Sequence, residues 1–163
     1  MRTYSKLMLG ILLTLAIMIV SGCSSVTLYQ NSIFDDEKKI AKDADSYLYV
    51  SRVGSKIEEG KENENHVKFI GFTGMDTIYK INSQGENDLL FTFESTIEDG
   101  AFKVVLVSPD DKILNIVDDT KEGNQTVKIT EGVSRVKLVG KKAKGEISIK
   151  IDWTEGVDIK RVD

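Results

Sequence analysis

The sequence predicts an all-β fold, an antiparallel β-sandwich of jelly-roll type, and three observations predict it. From Val67 to Trp153, apolar and polar residues alternate in short runs. The clearest case is the last, where Ile147, Ile149, Ile151 and Trp153 interleave with Glu146, Ser148, Lys150 and Asp152. A period of two sends one set to a buried face and the other to water. The runs are also rich in β-branched residues, as in Ala101–Ser108. Turn-forming clusters separate them at the spacing of short consecutive strands: Glu98-Asp99-Gly100, Pro109-Asp110-Asp111, Glu122-Gly123-Asn124 and Glu131-Gly132.

Residues 1–22 stand apart from this fold. Arg2 and Lys6 give a basic start, and Leu7–Val20 carries no charge. This is the pattern of a secretory signal peptide, and the run is shorter than the roughly 18–20 apolar residues that span a bilayer. It ends in Val20-Ser21-Gly22-Cys23, which resembles the bacterial lipobox. The resemblance implies cleavage between Gly22 and Cys23 and a diacylglyceryl group on the Cys23 thiol. The mature chain would then be held by lipid on the outer face of the cell membrane of a bacterium, with Gram-positive envelopes the expected setting.

After the cysteine, residues 23–65 read as a tether or N-terminal extension. A short helix is expected over Asp35–Asp45, with Ile40, Ala44 and Tyr47 on one face, and a first strand over Tyr47–Val53. Gly54–His66 is charged and reads as loop. The sandwich is expected to occupy residues 66–163. Its strands are Val67–Phe72, Thr77–Asn82, Leu89–Ile97, Ala101–Ser108, Lys112–Val117, Gln125–Thr130, Val133–Gly140 and Gly145–Trp153. Between the last two, Lys141-Lys142-Ala143-Lys144-Gly145 reads as a basic hairpin tip. From Val67 to Trp153 the chain also resembles a small β-sandwich module of Gram-positive lipoproteins, and its strand–turn pattern is similar to jelly-roll modules appended to secreted peptidases. The residues carrying this are Phe72-Thr73-Gly74, Phe93-Glu94-Ser95, Glu98-Asp99-Gly100, Val107-Ser108-Pro109-Asp110 and Gly140–Gly145. They are mostly turn residues, so the resemblance implies a fold and no activity.

Composition narrows the partners. Loss of Arg2 and Lys6 leaves 20 cations against 26 acids, a net charge near −6, which argues against nucleic acid. Cys23 is the only cysteine, so no intrachain disulfide and no free thiol nucleophile is expected once it is lipidated. His66 is the only histidine and reads as a solvated loop residue. A triad would need a nucleophile and an orienting acid placed around it, and a zinc site would need more His or Cys ligands. The paired acids Asp35-Asp36-Glu37, Glu98-Asp99, Asp110-Asp111 and Asp118-Asp119 lack a D-x-D-x-D-G calcium loop. They read as solvated turn residues. The aromatics Tyr47, Tyr49, Phe69, Phe72, Tyr79, Phe91, Phe93, Phe102 and Trp153 read first as core and second as a sugar platform. No catalytic, cofactor or metal residue is assigned, and Cys23 is the one site residue. The expectation is a non-enzymatic, membrane-tethered interaction module. Its partner would be an envelope protein or polysaccharide, with carbohydrate binding as the alternative and hydrolysis as the least favoured.

Overall fold

The computed structural model describes residues 27–55 and 60–162, so the signal peptide and Cys23 lie outside the described residues. Among the described residues no helix is long and apolar enough to cross a membrane.

A helical turn over residues 27–31 (α1) and a short helix at Glu37–Ile40 (α2) precede eight strands. These are β1 (Ser46–Leu48), β2 (Ser51–Gly54), β3 (Glu64–Ser83), β4 (Asn87–Val107), β5 (Ile113–Asp118), β6 (Lys121–Ile129), β7 (Gly132–Trp153) and β8 (Val157–Arg161). All pairings are antiparallel. β7 is central, with β3 along one side and β4 along the other; β1, β2 and β8 extend β3, and β5 and β6 extend β4.

Register and loop length together require this sheet to fold over on itself. β3 and β4 both run against β7, so they point the same way. At ~3.3 Å per residue a flat β3 of twenty residues would place Ser83 roughly 65 Å from the start of β4. Only residues 84–86 join them. The same three-way adjacency recurs where residues 130–131 join β6 to β7 and residues 154–156 join β7 to β8. Each of these connections crosses between two layers. The front layer holds β2, residues 64–70 of β3, residues 87–97 of β4, β6 and residues 145–153 of β7. The rear layer holds β1, β5, β8 and the other halves of the long strands. The fold is an all-β sandwich, as the sequence predicts.

The fold line falls where the ladders lose register, at Phe69–Gly74, Ile97–Ala101 and the facing stretch of β7. Bulges bend strands at such points. Gly100 takes φ +78, and a Cβ there would lie 2.4 Å from the Lys142 carbonyl oxygen. Only glycine fits both conditions. Phe69, Phe72 and Phe102 pack inside the bend, with the Phe69 and Phe102 centroids 4.8 Å apart, and Tyr49 stacks on Phe72 at 4.5 Å.

Several expected turns are therefore bends within continuous strands. Glu98-Asp99-Gly100 lies inside β4, Glu122-Gly123-Asn124 inside β6, and Lys141–Gly145 inside β7 rather than at a hairpin tip. Local composition marks a bend and a turn alike, because both need glycine and polar residues. The expected strand Tyr47–Val53 splits into β1 and β2 because it follows the bend from the rear layer to the front. His66 lies on β3, not in a loop.

One core cluster draws on the inner faces of both layers, including Val67, Leu89, Phe91, Val104, Leu138, Ile147, Ile149 and Ile151. Trp153, expected in that inward row, is 42% exposed at the end of β7. A second cluster lies on the outer face of the rear layer. There Met75, Val105, Val107 and Val139 are covered by Ile33 and Ile40, with Tyr29, Phe34, Ala41 and Ile113 around them. Residues 27–41 thus form a third layer. Of the expected helix only Glu37–Ile40 forms, capped by the Asp36 carboxylate accepting from the Lys39 N–H at 3.2 Å. Ala44 and Tyr47 do not join Ile40 on a buried face, since both are exposed.

Candidate functional site

The outer face of the front layer carries a cleft of about 740 Å³. Its floor follows from strand alternation. In adjoining strands, residues directly opposite one another stand on the same face. One row across the sheet reads His66, Ser148, Glu94, Glu122, and the next reads Glu64, Lys150, Thr92, Asn124. Four strands at ~4.8 Å spacing make each row about 14 Å long. Ser55 and Lys61 flank the β3 side. Between the rows, Phe93 and Ile149 turn inward and brace the floor from below.

The two ends of the floor differ. On the β3 and β7 side His66, Ser148 and Lys150 are committed. His66 Nδ1 lies 2.9 Å from Ser148 Oγ, His66 Nε2 lies 3.6 Å from Glu146 Oε2, and Lys150 Nζ reaches Asp152 at 3.1 Å. On the β4–β6 side, Thr92, Glu94, Glu122 and Asn124 make no side-chain hydrogen bond or ion pair among the described residues. A hydroxyl, an amide and two carboxylates therefore stand side by side, free to bind.

The structure thus sets a serine and a glutamate around the lone histidine, an arrangement the sequence reading missed because Ser148 and Glu146 are 82 and 80 positions away. An acyl-transfer site asks for more than these three groups. Oxyanion donors are needed as well as a nucleophile and base. Ser148 sits on the central strand, whose ladders on both sides use the backbone N–H groups around it. His66 and Glu146 are also 46% and 42% exposed, where water weakens their coupling.

The acids weighed for metal binding are mostly paired with cations. Lys112 lies 2.7 Å from Asp110, Arg135 2.8 Å from Asp111, Lys144 2.5 Å from Glu98 and Lys141 2.9 Å from Asp35. Among the described residues no group of three or more His, Cys, Asp or Glu side chains could hold a metal ion. The lysines of 141–145 are therefore partly spent on these pairs, and Ala143 is buried. Of the aromatics, Phe69, Phe72, Tyr79, Phe91, Phe93 and Phe102 are core, and the exposed Tyr47 and Trp153 do not line the cleft.

A second set of titratable groups clamps the rear layer to the residues that cover it. Lys137, wholly buried, donates to the Lys42 carbonyl and lies 3.5 Å from Asp45. Thr77 Oγ1 donates to the same Asp45 carboxylate at 2.7 Å, and Arg135 pairs with Asp43. Burial holds the Lys137 ammonium below the ordinary lysine range. Nearby, Tyr49 Oη donates to Asp76 at 2.8 Å, and burial pushes both groups up.

No protein-family model matches the chain, and no curated protein matches it in sequence. Solved structures with some likeness include an exo-β-1,3-galactanase from Phanerochaete chrysosporium, crystallised with β-1,3-galactotriose. It is 13% identical, with a TM-score of 0.38 over 68% of this chain and 28% of that one. The enzymatically active domain of bacteriophage CBA120 tailspike protein 4 is 7% identical, with a TM-score of 0.40 over 77% and 20%. A CBM4 structure is 8% identical, with a TM-score of 0.34 over 74% and 81%. This chain thus spans less than a third of the galactanase and of the tailspike domain. At these scores nothing about activity passes from them to this chain.

Proposed function

We propose that this protein is a lipoprotein anchored by Cys23 to the outer face of the cell membrane, and that it works by binding a polar, hydroxyl-rich envelope polymer in the front-layer cleft, without turning it over. The anchor half is supported by the basic start, the uncharged run and Val20-Ser21-Gly22-Cys23. The binding half is carried by one observation: the adjacent, exposed Thr92, Glu94, Glu122 and Asn124, without side-chain partners among the described residues, on a braced floor. Glycan hydroxyls both donate and accept, which suits a surface offering two carboxylates, an amide and a hydroxyl. With no exposed aromatic ring among the lining residues, recognition rests on hydrogen bonds rather than on stacking.

Two experiments test the two halves. Labelled fatty acid should tag the wild type and not Cys23→Ala; equal labelling of both refutes the anchor. Titration with solubilised envelope polysaccharides should give binding that Thr92→Ala/Asn124→Ala weakens by roughly tenfold, two hydrogen bonds at about 0.5–1.5 kcal/mol each. Unchanged binding in the double variant refutes the site. Ester or glycan turnover that Ser148→Ala abolishes refutes the non-catalytic reading.

A further inference from the structure

We infer that the cleft is held facing away from the bilayer, so that its ligand is a wall-side polymer and not a headgroup of the membrane that anchors the protein. The inference rests on the lipid-anchor reading above and adds to it a direction. In a sandwich the outer faces of the two layers point opposite ways. Residues 27–41 lie on the outer face of the rear layer, with Ile33 and Ile40 buried against Met75, Val105, Val107 and Val139. The cleft lies on the outer face of the front layer. The chain therefore enters the domain on the side opposite the cleft.

The length of the leash turns this into a constraint. Only Ser24, Ser25 and Val26 separate Cys23 from Thr27. A chain advances no more than about 3.6 Å per residue whatever its conformation, so the four steps reach at most about 14 Å. The helical layer packs on the rear sheet at about 10 Å, and the two sheets stand about 10 Å apart. The cleft floor is therefore about 20 Å beyond the entry point, before any detour around an edge of the sandwich. The leash can let the domain tilt, but it cannot bring the cleft onto the bilayer. Entry on the rear side is fixed by the same side chains that close the second cluster, and the clamp from Lys137 and Arg135 to Lys42, Asp45 and Asp43 holds the following residues there.

The test uses the full-length lipidated protein in phosphatidylcholine vesicles containing a nitroxide-headgroup lipid. Because lipid occupies the thiol of Cys23, an introduced cysteine is the only site for a fluorescent label. Lys38→Cys, on the exposed side of α2, and Thr126→Cys, on the outer face of β6 beside the cleft, are compared. The label at 38 should lose most of its fluorescence, and the label at 126 should match the detergent-free soluble control. A Gly/Ser spacer of about twenty residues inserted after Ser24 has an average reach of about 25 Å; it should relieve quenching at 38. Equal quenching at both sites, or stronger quenching at 126, overturns the orientation while leaving the anchor intact. Protein that washes off the vesicles overturns the anchor instead. Binding of envelope polysaccharide by the vesicle-bound protein should equal that of the unlipidated domain; its loss on anchoring would also count against a wall-facing cleft.

Discussion

Truncating Ile33 tests whether residues 27–41 belong to the cooperative fold. Ile33 is fully buried, yet in sequence it sits among polar and acidic neighbours that read as a tether. Ile33→Ala removes three carbons from the second cluster. Such a change costs about 2–5 kcal/mol once the cavity is included. Against a net stability of roughly 5–15 kcal/mol that is a large fraction. Leu28→Ala is the control, since Leu28 is 69% exposed and its loss should shift stability by no more than about 0.5 kcal/mol. In urea, with a slope of ~1–3 kcal/mol per molar, the Ile33→Ala midpoint should fall by about 1–2 M with the slope unchanged. Ile33→Ala and Ile40→Ala share neighbours, so the double variant should deviate from additivity. A chain beginning at Glu62 should then fail to melt cooperatively, because it loses both helices, β1 and β2 and bares Met75, Val105, Val107 and Val139. If Ile33→Ala melts like Leu28→Ala, the third layer is not part of the folding unit.

Gly140→Ala should destabilise by about 1–3 kcal/mol, because a Cβ there would meet the Phe72 ring at 2.3 Å and that ring is itself stacked on Tyr49; thermal melts matching the wild type would show that the bend can relax. Lys137→Met gives a pH signature. The folded chain holds the Lys137 proton less tightly than the unfolded chain, whose value is near the ordinary 10.5. Between the two values the unfolded state carries more protons, so stability from this site rises with pH. Wild type should gain on Lys137→Met as pH approaches 10.5, and a flat or opposite difference in urea midpoints refutes the assignment.

The front layer was legible because one of its faces is wet. Ile147, Ile149 and Ile151 alternate with Ser148, Lys150 and Asp152, and the inward row is where the period of two puts it. The rear layer was half legible. Ser134–Gly140 is buried on both faces, but Arg135 and Lys137 look in sequence like an ordinary solvated row. They face Asp43, Asp45 and Asp111 from distant segments, and charge alone does not tell a clamp from a surface. Residues 27–41 read in sequence as a tether or extension for the same reason, since their few apolar side chains bury against a partner that only the fold supplies. The cleft was invisible, because its floor comes from four strands spread between residues 64 and 150, and no local spacing records which lie in register.

The central position of β7 has a consequence for how the chain acquires its structure. β3 and β4 share no backbone ladder; each waits for a strand that begins at Gly132. A chain emerging from its N-terminus therefore presents two long strands whose edges stay open until about residue 153 has appeared. Pairings such as Glu64 with Lys150 close loops of more than eighty residues, a topology that slows folding. Open apolar edges in the meantime invite pairing with other chains. Assembly must then be nearly all-or-none and late, with β7 acting as the wedge that zips both neighbours at once. A chain cut short inside β7 should leave aggregates rather than a smaller native sheet.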